Sequence, residues 1–494
     1  MALRVTASLL LFLMLTPFPA RGAAPSDPQE ALREIARETI ADNCEAALSG
    51  VKALLEKPVF TSLPDAMKAA AYQMGARCAL RARQLDLAYA WMKDGTRLPG
   101  STAEFWLTRL SFELGTGRLP AAVATVEAMV PDHVDALNAE PVGWYNNFRR
   151  AVEKDHDKDL RKRLLAVLSS AYQPIALTST SDGFRRDYAV VLAQSGDRTR
   201  AAQLVASMRT PDYLVSVSLD PLLKTMLPAD FDVRAAAERH LADIRALSTK
   251  HPDTLTGPLE IARTLRLLGR IDESLAVLEK ARPNFASGPL AEDAEDQLNW
   301  WWNGMAYSYA MLGRYDDAVK AMNHGASAGE HGRLNVSQKL NLADLQLRFG
   351  HESDALTTLA AFNVSGAGTS GYGAMVMVAN RGCARFRFGD TAGAKADIAY
   401  ATQHETDNPG ALTGLLACAN EMDKAAASII RRLGDPDQRA EALKDLSNYD
   451  PLPPGFPPGP FGTGERQLQQ RADIQAAVAK AGGAGTFRLQ ESAF

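Results

Sequence analysis

The 494-residue chain is short of aromatic residues, at 7%, and has only four cysteines. It also lacks a basic surplus: 54 Lys and Arg stand against 58 Asp and Glu, a formal charge of −4. General nucleic-acid binders carry such a surplus, so nucleic acid is not expected as a partner. No Cys-x-x-Cys occurs and the eight His are scattered, which argues against the common zinc sites; neither a metal nor a cofactor is expected. Beyond residue 22 no apolar run approaches the roughly 18 residues of a spanning helix. What is present is ordinary for a folded chain, 46% hydrophobic and 23% charged. Alanine is abundant, which favours helix. At roughly 150 residues per domain the length allows about three domains or one long array.

Residues 1–22 read MALRVTASLLLFLMLTPFPARG. Arg4 supplies a positive start, Leu9 to Leu15 a short apolar run, and Ala20-Arg21-Gly22 small residues before a cleavage point. That is the pattern of a secretory signal peptide. No cysteine follows it, so lipid attachment is not indicated. The expectation is an exported mature chain, periplasmic or secreted, with no transmembrane anchor. The Ala/Arg/Asp-rich style suggests a Gram-negative bacterium.

The stretch from Trp302 to Met322 carries the most information. Counted from Gly313, it places Trp302 eleven residues before, Ala306 seven before and Tyr309 four before, then Ala318 five after and Met322 nine after. Steps of three and four residues mark two amphipathic helices. Gly313 breaks the first, Asp316 and Asp317 open the second, and the alanines allow close crossing. The same spacing recurs around Gly196 (Ala189, Leu192, Ala201, Val205), Gly269 (Ala262, Leu265, Ser274, Leu278), Gly350 (Ala343, Ala355, Leu359) and Gly389 (Gly382, Ala394, Ile398). Earlier copies are fainter. Gly117 has Trp106, Ala122 and Val126. Arg83 stands in a glycine's place with Tyr72, Ala76, Ala88 and Met92, and Ala41 with Ala46 marks a first copy.

This pattern resembles the tetratricopeptide repeat. The resemblance implies an all-α right-handed superhelix of antiparallel helix–turn–helix units, here degenerate, over residues 28–448 and best matched over 180–402. The ideal period is about 34 residues. The interval between Gly196 and Gly269 is about two repeats, with one unit inside 210–250 unmatched, and 132–177 is helical but fits poorly. A Pro/Gly-rich stretch over 450–464 cannot be helical and reads as an extended linker. One polar helix is expected over 465–482, and a flexible tail over 483–494. Phe494 ends the chain without the strand alternation of an outer-membrane barrel.

Cys44 and Cys78, and Cys383 and Cys418, are each separated by about one repeat. Residues one repeat apart sit on neighbouring helices of a stacked array, and an exported chain with an even cysteine count is oxidised. The expected disulfides are therefore Cys44–Cys78 and Cys383–Cys418, one near each end, where a terminal repeat has a neighbour on one side only.

Several motifs invite a catalytic reading. Gly325-Ala-Ser327-Ala-Gly329, with His324 and His331 nearby, matches a nucleophile elbow, which needs a strand before the serine; a repeat helix precedes it. Gly366-Ala-Gly368-Thr-Ser-Gly371 matches a dinucleotide fingerprint, which needs a βαβ unit; repeat helix precedes it too, though the helix start at Gly371 suits an anion. The acidic run 291–296 reads as a solvated helix face. No carboxylates are paired by the sequence in a setting that would raise a pKa. Asn335 and Asn363 open glycosylation sequons, relevant only in a eukaryotic secretory route.

In the resembled family the first helix of each pair lines the inner groove. The corresponding stripe here carries Arg186, Arg263, Arg266, Trp300, Asn303, Tyr307, Asp344, Arg348, Phe386 and Arg387. Arginine binds carboxylates bidentately, and arginine with aromatics is the usual composition of binding hot spots. Trp302 is read as core; Trp300 is the groove candidate, the alternative being that all three tryptophans serve packing. The expectation is an interaction scaffold, not an enzyme, whose stripe holds a protein or peptide partner bearing acidic groups or a C-terminal carboxylate. The family's Lys/Asn carboxylate clamp is not reproduced. The alternatives are a glycan-binding or assembly component of the cell envelope, and, behind these, a hydrolase.

Overall fold

Alanine at helix crossings and one residue of positive φ at the turn within most helix pairs build the architecture. Gly117, Gly196, Gly269, Gly313, Gly350 and Gly389 all take φ between 70° and 93°, a region costly for any residue with a Cβ. The next amide folds back to close each helix, as in Arg314 N–H to the Tyr309 carbonyl at 2.9 Å and Arg270 N–H to that of Leu265 at 2.8 Å. Ala189, Ala201, Ala262, Ala306, Ala318, Ala343 and Ala355 are wholly buried at the crossings. Among the described residues four turns use residues other than glycine: Asp42, Arg83, His156 and Asn420, with φ of 56° to 62°. The first lies one residue beyond the expected Ala41. His156 and Asn420 carry turns that a glycine-based template passes over.

The computed structural model describes residues 27–174, 180–282, 291–327, 335–361 and 370–491. The signal segment, Gly329, His331, Asn363, Gly366, Gly368 and Phe494 lie outside them. Among the described residues the secondary structure is helical, with no strand beyond an isolated bridge between Asn448 and Thr486. No helix there is long and apolar enough to cross a membrane.

Where one continuous array was expected over 28–448, contacts divide the chain into two units, 1–174 and 175–494. The first contains α1 (Pro28–Ile40), α2 (Cys44–Leu55), α3 (Asp65–Arg81), α4 (Leu85–Thr96), α5 (Ala103–Gly115), α6 (Leu119–Ala139), α7 (Val142–Lys154) and α8 (Lys158–Ser170). Consecutive helices pack in pairs. The poor fit after residue 130 has a cause: α6 runs through Pro131 and kinks at His133. Cys44 at the start of α2 bonds to Cys78 of α3, with Cα atoms 4.9 Å apart.

The second unit begins with α9 (Asp182–Gln194), α10 (Arg198–Ser207), α11 (Pro211–Leu219) and α12 (Val233–Ser248). The regular pairs follow as α13 (Thr256–Leu267) with α14 (Ile271–Lys280), α15 (Ala294–Met311) with α16 (Tyr315–Ser327), α17 (Val336–Arg348) with α18 (Glu352–Ala360), α19 (Gly371–Phe388) with α20 (Thr391–Gln403), and α21 (Pro409–Cys418) with α22 (Met422–Gly434). Then comes α23 (Arg439–Asp445). Cys383 of α19 bonds to Cys418 of α21, with Cα atoms 5.7 Å apart. The unmatched interval 210–250 is filled by α11 and α12, which lack the positive-φ turn.

The C-terminal region departs most from expectation. Two short helices, α24 (Gly462–Gln469) and α25 (Ala472–Ala481), replace the single one. Both pack on α22, and α24 also packs on α21. Gly464 lies so close to the Ala417 carbonyl that a Cβ there would stand 2.5 Å from it. The segment beyond α25 is held too: Phe487 N–H donates to Asn448 O and Gln490 N–H to Leu267 O, both at 2.8 Å.

Candidate functional site

The first helices α13, α15, α17 and α19 carry most of the expected stripe, with contacts from each helix to the next. Arg266, buried on α13, donates to Gly304 O, Ser274 Oγ and Ser308 Oγ, each at a long 3.4 Å. Burial and neighbouring Arg263 pull its guanidinium down to about 10. Tyr307 of α15 is buried beside Asp344, Arg348 and Arg266, and its hydroxyl is held well above the usual range, by burial first. Asn303 accepts from Asn341 of α17 at 2.8 Å.

Carboxylates of the chain itself already occupy part of the stripe. Arg263 pairs with Asp212 at 2.7 Å and with Glu260 at 2.8 Å. Burial opposes ionisation of Glu260, but Arg263 and His240 overcome it and hold the carboxyl at about 2. Arg186 donates to Asp187 at 2.9 Å, with Asp220 and Glu441 near. Phe386 is half-buried.

The three tryptophans divide differently from the template. Trp301 is the wholly buried one, its indole N–H donating to Leu278 O at 3.1 Å. Trp302 is half-buried, stacked on His324 at 4.6 Å. Trp300 is 40% exposed. One helical step of about 100° separates successive side chains, and α14 lies on the Trp301 side.

The stripe on α17 and α19 is partly covered: Arg348 is buried, while Arg387 keeps an exposed edge. The Pro/Gly-rich segment is not one extended linker: it turns at Pro453–Phe456 and Gly459–Gly462, its last residues from Gly462 open α24, and it lies on the array instead of standing off. Arg348 donates to Pro457 O at 3.0 Å, and its guanidinium sits 4.6 Å from the centre of the Phe456 ring. Arg387 donates to Leu347 O at 3.0 Å and to Pro460 O. Phe456 is buried among Ile271, Ala310, Met311, Ala318 and Leu345. Gly455 crosses the Gly313 turn so closely that a Cβ on either would meet the other's Cα at 3.4 to 3.6 Å.

Between this segment and the array lies a cavity of about 420 Å³. Asp344, Asp445, Asp450, Glu465 and Glu491 line it with Arg348 and Arg466. Asp445 keeps 42% of its side-chain surface although Arg432 binds it at 2.8 Å; that surface faces the cavity. Burial raises the carboxyls of Asp344, Asp445 and Glu491 above the usual range, against the pull of Arg348 or Arg432. Burial, then Asp445 and Glu491, push Glu465 up to about 7. Sequence reading placed Asp344 and Arg348 on the stripe but missed the other members of this group. Its members come from four separate segments, and no local spacing links them.

The glycine motifs have packing roles among the described residues. Gly325 lies inside α16, where a Cβ would stand 3.1 Å from both Asn299 O and Trp302 Cβ. Ser327 Oγ donates to His324 O at 2.8 Å, within its own helix. Gly371 opens α19 against the Asp407 carboxylate, so the helix start already has an anion beside it. Asp293, expected on a solvated face, instead accepts from Leu255 N–H and Thr256 N–H at 2.8 and 2.9 Å. The Asn335 side chain is buried, donating to Gly325 O at 3.1 Å. No group of three metal-binding side chains occurs among the described residues.

No family model matches the chain, and no curated protein does. Among solved structures it is similar to the crystal structure of the APC/C hetero-tetramer Cut9–Hcn1, at 14% identity over 92% of this chain and 90% of that one, with a TM-score of 0.28. A score that low leaves the fold to be read from this chain's own helices.

Proposed function

We propose that the chain is an exported interaction scaffold, without catalytic chemistry of its own, that captures a peptide or protein partner on the Arg/aromatic stripe of its second unit. One observation carries this reading: the stripe at Arg348 and Arg387 already holds an extended polypeptide, the chain's own Phe456–Pro460. Its guanidinium groups donate to backbone carbonyls there, with Asp344 also acting on Arg348 and Glu352 at 3.8 Å from Arg387. A partner carboxylate would form stronger, charge-assisted bonds to the same groups, which favours an acidic segment or a C-terminus. Partner binding then competes with the chain's own tail.

The same contact supports a second reading, a structural or assembly role in which the covered stripe takes no ligand. Affinity capture of the tagged mature protein from its own envelope extract, with mass spectrometry, separates the two. The scaffold reading expects a partner whose recovery rises in Phe456→Ala and falls in Arg387→Ala. Recovery that ignores both substitutions leaves the structural role.

A further inference from the structure

The tail and the array meet through acidic groups on both sides. Asp344 on α17 and Asp445 on α23 belong to the array, and Glu465 on α24 and Glu491 belong to the tail; all four line one cavity. Two guanidinium groups, Arg348 and Arg466, share that cavity with them and with Asp450. Ionising every carboxyl would therefore leave an excess of negative charge where tail and array must stay in contact.

We propose that the C-terminal segment is a clasp over the stripe, tightening its hold on the array on acidification and loosening it as the pH rises through neutrality. The device rests on the reading of the stripe as the partner surface, since the clasp occupies Arg348 and Arg387.

Glu465 is its most sensitive member. From α17 it faces Arg348; from α23, Asp445, which Glu441 and Lys444 also influence; from α22, Arg432. The remaining tail group that acts on it is Glu491. Packed against α24, α21 brings no titratable side chain beyond its disulfide cysteine. Arg471, ahead of α25, is taken up by Asp423 and Asp473. The attractive groups are outweighed, and the carboxyl sits at about 7 when docked, against 4.5 when free. A carboxyl raised on docking favours the docked state while protonated. Its contribution is complete below about 4.5 and is lost as the pH rises through about 7. The difference between 4.5 and about 7 sets a ceiling of about 300-fold on what Glu465 alone does to the docking constant. Access to the cavity's solvent reduces this to roughly 10- to 100-fold.

Hydrogen exchange of the full-length protein tests the clasp without any partner. Phe487 and Gln490 amides are protected by bonds to Asn448 and Leu267, so the peptide spanning them reports docking. With intrinsic rates corrected for pH, its protection should fall roughly 10- to 100-fold between pH 5 and pH 8. A peptide from α15, in the same unit, serves as the folding control. Glu465→Gln should keep the pH 5 protection and remove most of the fall. Protection that is flat or rises with pH overturns the proposal, as does a Glu465→Gln protein that keeps the wild-type slope. If the α15 control shows that this variant is unfolded, the wild-type profile and Glu491→Gln, which should reduce the slope, decide instead. A clasp that responds to pH while no partner is captured defeats the scaffold reading alone.

Discussion

Replacing Phe456 by alanine should release the Pro/Gly-rich segment while leaving the helical array folded. The ring is 5% exposed, sits over the Arg348 guanidinium at 4.6 Å and lies 6.3 Å from Phe349. Core Phe→Ala changes cost about 3–5 kcal/mol, about 1 of which is the lost cation–π contact. The vacated site is at the array's surface and can fill with water, so the low end, about 3 kcal/mol, applies. That weakens docking roughly a hundredfold. Limited chymotrypsin digestion reads this out at the Phe461–Gly462 bond, since proline follows Phe456 and blocks cleavage there. When opening is fast relative to cleavage, the rate follows the open population and should rise roughly a hundredfold. A rate within twofold of wild type, with unchanged circular dichroism, would refute the claim that Phe456 anchors the segment.

Other expectations follow from single contacts. The denatured, unreduced protein should show no free thiols, and Cys383→Ser/Cys418→Ser should lower second-unit stability by about 3–4 kcal/mol in urea. Asp397 is 2% exposed and accepts from both Arg381 and Arg385, so Asp397→Ala should cost about 1–3 kcal/mol by removing the partner of Arg381, while Arg385 keeps Asp390. Trp301→Phe should lose about 1–3 kcal/mol with its bond to Leu278. Trp300→Ala, at a side chain 40% exposed, should cost less stability than Trp301→Ala yet reduce partner recovery.

What could be read along the chain was what short spacing encodes. Helix pairs, their turn glycines and the buried alanines all lie within a dozen residues of one another, where the 3.6-residue period and the positive-φ turn act directly. The cysteine pairing followed because one repeat of sequence is one step to a neighbouring helix. The turns at His156 and Asn420 were hidden because other residues accept that backbone conformation at a cost of about 1–2 kcal/mol. Trp301 took the core place assigned to Trp302 because the position of α14, a tertiary fact, decides which of three successive faces is inside.

The sequence by itself thus determined an all-helical repeat array with a proline-rich, non-helical segment near its end. Only the tertiary structure decided that this segment lies on the stripe, that Arg348 and Arg387 are held by its carbonyls, and that Asp344, Asp445, Glu465 and Glu491 share a cavity. Proline fixes an extended backbone locally but carries no address. The address is written in distant groups, Phe456 against Leu345 and Gly455 against Gly313, and it exists only once the helices that carry them have packed.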